Sequence, residues 1–118
     1  MKAKIELRVG EQREKVISEG VGFYSKGRLR YFELDQKTKQ EVWFDQDKIE
    51  IVRKGEVETR LRFRRFGLSS CEVNSQYGCM QVPVRLLKYE IYPLGIYLSY
   101  QMNEEDLYHF YWNIEPLG

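Results

Sequence analysis

The side chains that could do chemistry here are few. Cys71, Cys79 and His109 are the only thiols and the only imidazole in 118 residues, too few for a four-ligand Cys/His zinc site. The cysteines flank Gln76-Tyr77-Gly78. A hairpin turning on that tripeptide sets Ser75 opposite Cys79 and Cys71 near Pro83. The thiols then do not face each other, a disulfide fits badly, and two free thiols in a reducing compartment are expected. His109 is the sole group titrating near neutral pH, and it shares parity with Tyr111 and Asn113. Its own strand supplies neither a nucleophile nor a carboxylate to orient it, which favours a hydrogen-bonded structural histidine. There is no glycine-rich phosphate loop, nucleophile elbow or metal motif. No catalytic residue, metal or cofactor is expected, and the chain reads as a non-enzyme.

Charged and aromatic residues offer binding chemistry instead. Glu33 shares parity with Leu29 and Tyr31, and Arg53 with Ile49 and Ile51, so both can point inward. An unpaired charge inside a small protein is costly, so they either pair, clamp a polar head group or reach solvent at strand ends. Arg60, Arg62 and Arg64 alternate with Leu61 and Phe63, an arginine stripe on one strand face. That stripe could contact phosphates, but it reads more simply as a solvated outer face. Residues 89 to 118 contain no Lys or Arg and five carboxylates, together with eight of the seventeen aromatics. Tyr108, Phe110, Trp112 and Ile114 share one parity there; Leu107, His109, Tyr111 and Asn113 share the other. If the outer set joined exposed Tyr97 or Tyr89, it would form a patch suited to a homodimer.

The elements that must position these residues are strands. The formal charge of +1 gives no global attraction to nucleic acid, and 42% hydrophobic content permits a packed core. No apolar run approaches the ~18 residues of a membrane span, and the charged start is no signal peptide, so no membrane association and a cytoplasmic location are expected. Turn signals recur at short spacing, and the runs between them alternate with period two. No window of ten residues carries a helical apolar stripe, and the best candidate, 10 to 18, offers only Val16 and Ile17. Strands are expected at about 3–9, 13–24, 28–34, 38–44, 48–53, 57–65, 69–75, 79–92, 94–102 and 107–115. Tight turns make consecutive strands neighbours. The fold class is therefore all-β: one antiparallel up-and-down meander barrel of eight to ten strands, spanning residues 1 to 118 as a single domain.

Several segments together match a known pattern: Tyr31-Phe32-Glu33, Thr38, Arg53-Lys54-Gly55, Leu61-Arg62-Phe63, Tyr77-Gly78 and Gly95-Ile96-Tyr97-Leu98-Ser99-Tyr100. Over about residues 3 to 114 the chain resembles the YwiB-like family, small bacterial proteins of unknown function. It departs from that pattern at Asn74-Ser75-Gln76, where a Thr-Pro pair is expected ahead of the Tyr-Gly turn. The resemblance implies a lipocalin-like (calycin) barrel and a soluble bacterial protein, but no ligand or activity.

A barrel near eight strands is either filled by side chains or holds one small ligand. The expected function is non-catalytic binding of a small apolar or amphipathic ligand, with Glu33, Arg53, Tyr77, Tyr100 and His109 as candidate polar contacts. One alternative is a protein-interaction module with a filled core and an aromatic C-terminal face. The other is a weak nucleic-acid binder through Arg60, Arg62 and Arg64.

Overall fold

The computed structural model describes residues 1–118. Eleven strands and no helix make up the chain: β1 (Lys2–Val9), β2 (Lys15–Ser25), β3 (Arg28–Phe32), β4 (Lys39–Phe44), β5 (Lys48–Lys54), β6 (Glu58–Arg64), β7 (Ser70–Ser75), β8 (Gly78–Val82), β9 (Val84–Tyr92), β10 (Gly95–Met102) and β11 (Asp106–Pro116). All pair antiparallel in one sheet of order β8-β7-β6-β5-β4-β3-β2-β1-β11-β10-β9. This is an up-and-down meander curled into a nearly closed barrel.

The count exceeds the expected eight to ten because the run 79–92 is not one strand. Pro83 has no N–H for the ladder and divides it. The first part, β8, pairs with β7, and the second, β9, pairs with β10. The two edges of the sheet are thus two halves of one bent stretch of chain, and β9 packs back against β6 and β7 across the remaining seam. The β7–β8 turn is also one residue tighter than expected. Gln76 and Tyr77 alone form it, Ser75 pairs with Gly78, and Cys71 pairs with Val82. Both cysteines are free, Cys71 buried and Cys79 exposed.

Alternation sets the interior. Ala3, Ile5 and Leu7 on β1, Leu29 and Tyr31 on β3, Val42 and Phe44 on β4, Ile96, Leu98 and Tyr100 on β10, and Trp112 and Ile114 on β11 are all buried. Curvature has local causes. Bulges interrupt the register at Leu7/Arg8 and at Ser99/Tyr100. On β2, a Cβ at Gly22 would lie 1.9 Å from the Arg30 carbonyl oxygen and 2.6 Å from Tyr31 Cβ. Only glycine permits β3 to come so close at this corner.

The outer face of β3 to β6 is a charge ladder. Arg28 and Lys39 both meet Glu41, at 2.9 and 2.7 Å. Arg60 and Arg62 both meet Glu50, at 3.2 and 3.5 Å, and Arg60 also reaches Glu58. Two of the three stripe arginines are therefore engaged by acidic neighbours on the outside of the barrel. No helix is long and apolar enough to cross a membrane.

Candidate functional site

The barrel has two unlike ends. The turns Lys26–Gly27, 45–47, 65–69 and Pro93–Leu94 lie at one end, together with both chain termini. Tyr89 closes it: its hydroxyl donates to the carbonyls of Asp45 (2.5 Å) and Lys48 (3.1 Å). Arg65 donates to the carbonyls of Gln46 (2.6 Å) and Tyr89 (2.8 Å), tying β9 across the seam. Tyr24 donates to the Pro93 carbonyl. Tyr89 is therefore interior, contrary to its expected place in an exposed aromatic patch.

The other end carries the turns 10–14, 33–38, 55–57, 76–77 and 103–105. It opens into a cavity of about 600 Å³. Leu7, Ile51, Leu61, Val73 and Val82 supply aliphatic wall, Cys71, Met80 and Met102 supply sulfur, and Tyr100, Phe110 and Trp112 supply aromatic wall. The aromatic part is continuous. Tyr108 stacks on Tyr100 at 5.3 Å between centroids, Phe110 meets Tyr100 edge-on at 5.3 Å, and Trp112 meets Phe110 edge-on at 5.8 Å. Tyr108 stands nearest the 103–105 turn and Trp112 deepest.

One wall is polar. The register aligns Gly22, Tyr31, Gln40 and Arg53 across β2 to β5. Arg53 grips Glu33 with two hydrogen bonds, Nε to Oε2 at 2.9 Å and Nη2 to Oε1 at 3.1 Å. Gln40 Nε2 donates to Glu33 Oε2 and to Ser18 Oγ, both at 3.2 Å. Ser18 Oγ and the Tyr31 hydroxyl share a 2.8 Å hydrogen bond. Burial works against the Glu33 charge, but the Arg53 and Gln40 hydrogen bonds outweigh it and hold the carboxyl below its ordinary range. Burial pushes the Tyr31 hydroxyl up, with the Ser18 bond and the nearby Trp112 indole opposing it. Tyr100 is also pushed up, first by burial and then by Cys71 and Tyr108, and no hydrogen bond offsets this. Gln40 Oε1 is buried without a partner, as is Trp112 Nε1.

The five candidate residues divide. Arg53 and Tyr100 line the cavity, and Glu33 stands behind Arg53 at the rim. Tyr77 lies on the exposed β7–β8 turn, outside the cavity wall. His109 lies on the outer face of β11, where Nδ1 and the Tyr97 hydroxyl are 2.7 Å apart. The Arg13 guanidinium covers Tyr111 at 3.9 Å and Tyr97 at 5.5 Å, so the outer aromatics are partly masked. The polar wall residues Gln40, Ser18 and Thr59 escaped the sequence reading. Gln40 carried a usable signal, a polar residue at the apolar parity of Val42 and Phe44.

Comparison with known proteins adds family and fold. The family model described as "Domain of unknown function (DUF1934)" matches residues 1–111. The crystal structure of the ywiB protein from Bacillus subtilis is similar, with a TM-score of 0.69 and 14% sequence identity, over 99% of this chain and 91% of that one. At that identity the likeness speaks for the fold. No curated protein matches.

Proposed function

The chain belongs to the DUF1934 family of domains of unknown function, and from that footing we propose that it is a non-catalytic barrel that holds one small, partly apolar ligand in its open end. The observation behind this reading is the cavity of about 600 Å³, within the range of small-molecule sites, roughly 300–1,000 Å³. It has a mainly apolar wall and a few convergent polar groups, as such sites do. A void of this size is a poor way to make a stable core, because its lining forgoes dispersion contacts. The polar wall fits a recognition role better than a catalytic one. Its ionic members are bound to each other, and no nucleophile stands beside a base.

Native mass spectrometry of freshly purified protein, set against the denatured mass, tests the reading. A non-covalent adduct that leaves on denaturation is the expected result. A bare chain mass that stays bare after incubation with a whole-cell small-molecule extract would overturn it. A doubled bare mass would move the function to a homodimer surface.

A further inference from the structure

The charge at the open end narrows the class of ligand. Its five turns hold seven carboxylates and two cations, Arg13 and Lys37, a net of −5; the turns at the closed end balance to zero. Counting the flanking strand-end residues Lys15, Lys39, Lys54, Glu58 and Asp106 as well leaves the open end at −4. The cavity wall has one cation, Arg53, and Glu33 neutralises it through two hydrogen bonds. An anionic ligand would therefore cross a negative rim and find no free positive charge inside.

The aromatic wall points the other way. It begins at the rim, with Tyr108 beside the Glu104–Glu105–Asp106 corner and stacked on Tyr100. Aromatic faces flanked by carboxylates attract organic cations. Gln40, fully buried on the polar wall, has an acceptor without a donor, Oε1. Its orientation is fixed, because the Glu33 carboxylate only accepts and so must face the Gln40 N–H₂. Only a donor deep in the cavity, N–H or O–H alike, would reach it, so Gln40 does not select a cation.

We infer, resting on the ligand-holding reading above, that the cavity takes a cationic amphiphile: an organic amine whose ammonium sits at the acidic, aromatic rim and whose apolar body lies among Leu61, Val82 and Trp112. The apolar body enters and the charge stays near solvent, so no unpaired cation is buried.

The test uses three eight-carbon probes at pH 7: octylamine as the cation, 1-octanol as the neutral form and octanoate as the anion. Trp112 reports binding once Trp43, exposed on the outer face, is changed to Phe. Octylamine is expected to bind about tenfold more tightly than octanol, and octanoate more weakly still. Glu104→Gln with Glu105→Gln should weaken octylamine severalfold and leave octanol unchanged. Octanol equal to octylamine, or octanoate the tightest, would overturn the cationic assignment while leaving the cavity reading intact. No response to any of the three would overturn both.

Discussion

The two ends of the barrel are made by the same alternating strands, and they differ in how the chain turns and what it leaves unfilled. At the closed end, Tyr89 and Arg65 stitch two turns and strand β9 together through backbone carbonyls, and the left-handed positions fall on Gly27 and Gly67. At the open end, four non-glycine residues take positive φ: Arg13, Gln36, Asn103 and Glu104. Each such residue costs of order 1 kcal/mol relative to glycine's freedom. One end is built for stability. The other accepts backbone strain, unpartnered buried polar atoms and a void, a pattern expected where structure serves binding.

A matched pair of truncations would break this contrast most directly. Leu98 is fully buried away from the cavity, whereas Leu61 lines it. Leu98→Ala opens a new cavity in packed surroundings and should cost about 3–4 kcal/mol. Leu61→Ala enlarges an existing one, loses fewer contacts and should cost about 1–2 kcal/mol less. Urea unfolding of both variants measures the difference, and equal losses would mean the open end is packed as tightly as the closed one.

A second pair compares arginines. Arg65→Ala frees the Gln46 and Tyr89 carbonyls at the seam and should cost about 1–2 kcal/mol. Arg53 is half exposed, so the stability supplied by its ion pair is discounted to about 1 kcal/mol or less. Arg53→Ala should change ligand retention more than folding, and by freeing the Glu33 carboxylate it should tighten a cationic ligand. If Arg53→Ala proved the more destabilising of the two, Arg53 would be a structural tie and not a part of the site.

These contrasts were partly legible in the residues. Period two revealed the barrel because a one-residue slip would turn every apolar side chain outward. The two parity sets of the last strand and the acidic bias of residues 89 to 118 were visible as well, and the fold turns the set from Tyr108 to Ile114 inward and gathers Glu104 and Glu105 at the rim. The break at Pro83 was missed because a proline between alternating residues does not say which neighbour each half will pair with. The Gln76-Tyr77 turn was misjudged by one residue, since Gly78 suits either a two- or a three-residue loop. The meeting of Glu33 with Arg53 depended on the registers of β3, β4 and β5, which no local pattern specifies. The outward place of His109 was implicit in its parity with Tyr111, but only the packing of Trp112 shows which parity faces in.

The smallest expected effect is a local pH dependence in the 33–38 turn of the open end. The 33–38 turn holds two carboxyls with lowered pKa. Glu33 lies below its ordinary 4.5 through the balance of burial and hydrogen bonds described above. Asp35 is lowered from 3.8 to about 2, chiefly by the Thr38 hydroxyl and then by the backbone N–H groups of Thr38 and Lys37. A carboxyl whose pKa is lower in the folded state stabilises it above the unfolded value, and that contribution is lost as pH falls through the folded value. The protection factors of the amides in this turn should therefore fall as the pH drops from 4.5 toward 2, while the amides of the 65–69 turn, which contains no carboxyl, keep their protection. Asp35→Asn retains an acceptor for the same N–H groups and should flatten that part of the response. Loss of protection at both ends together would instead point to global acid unfolding, and the two ends would then have to be treated as one cooperative unit.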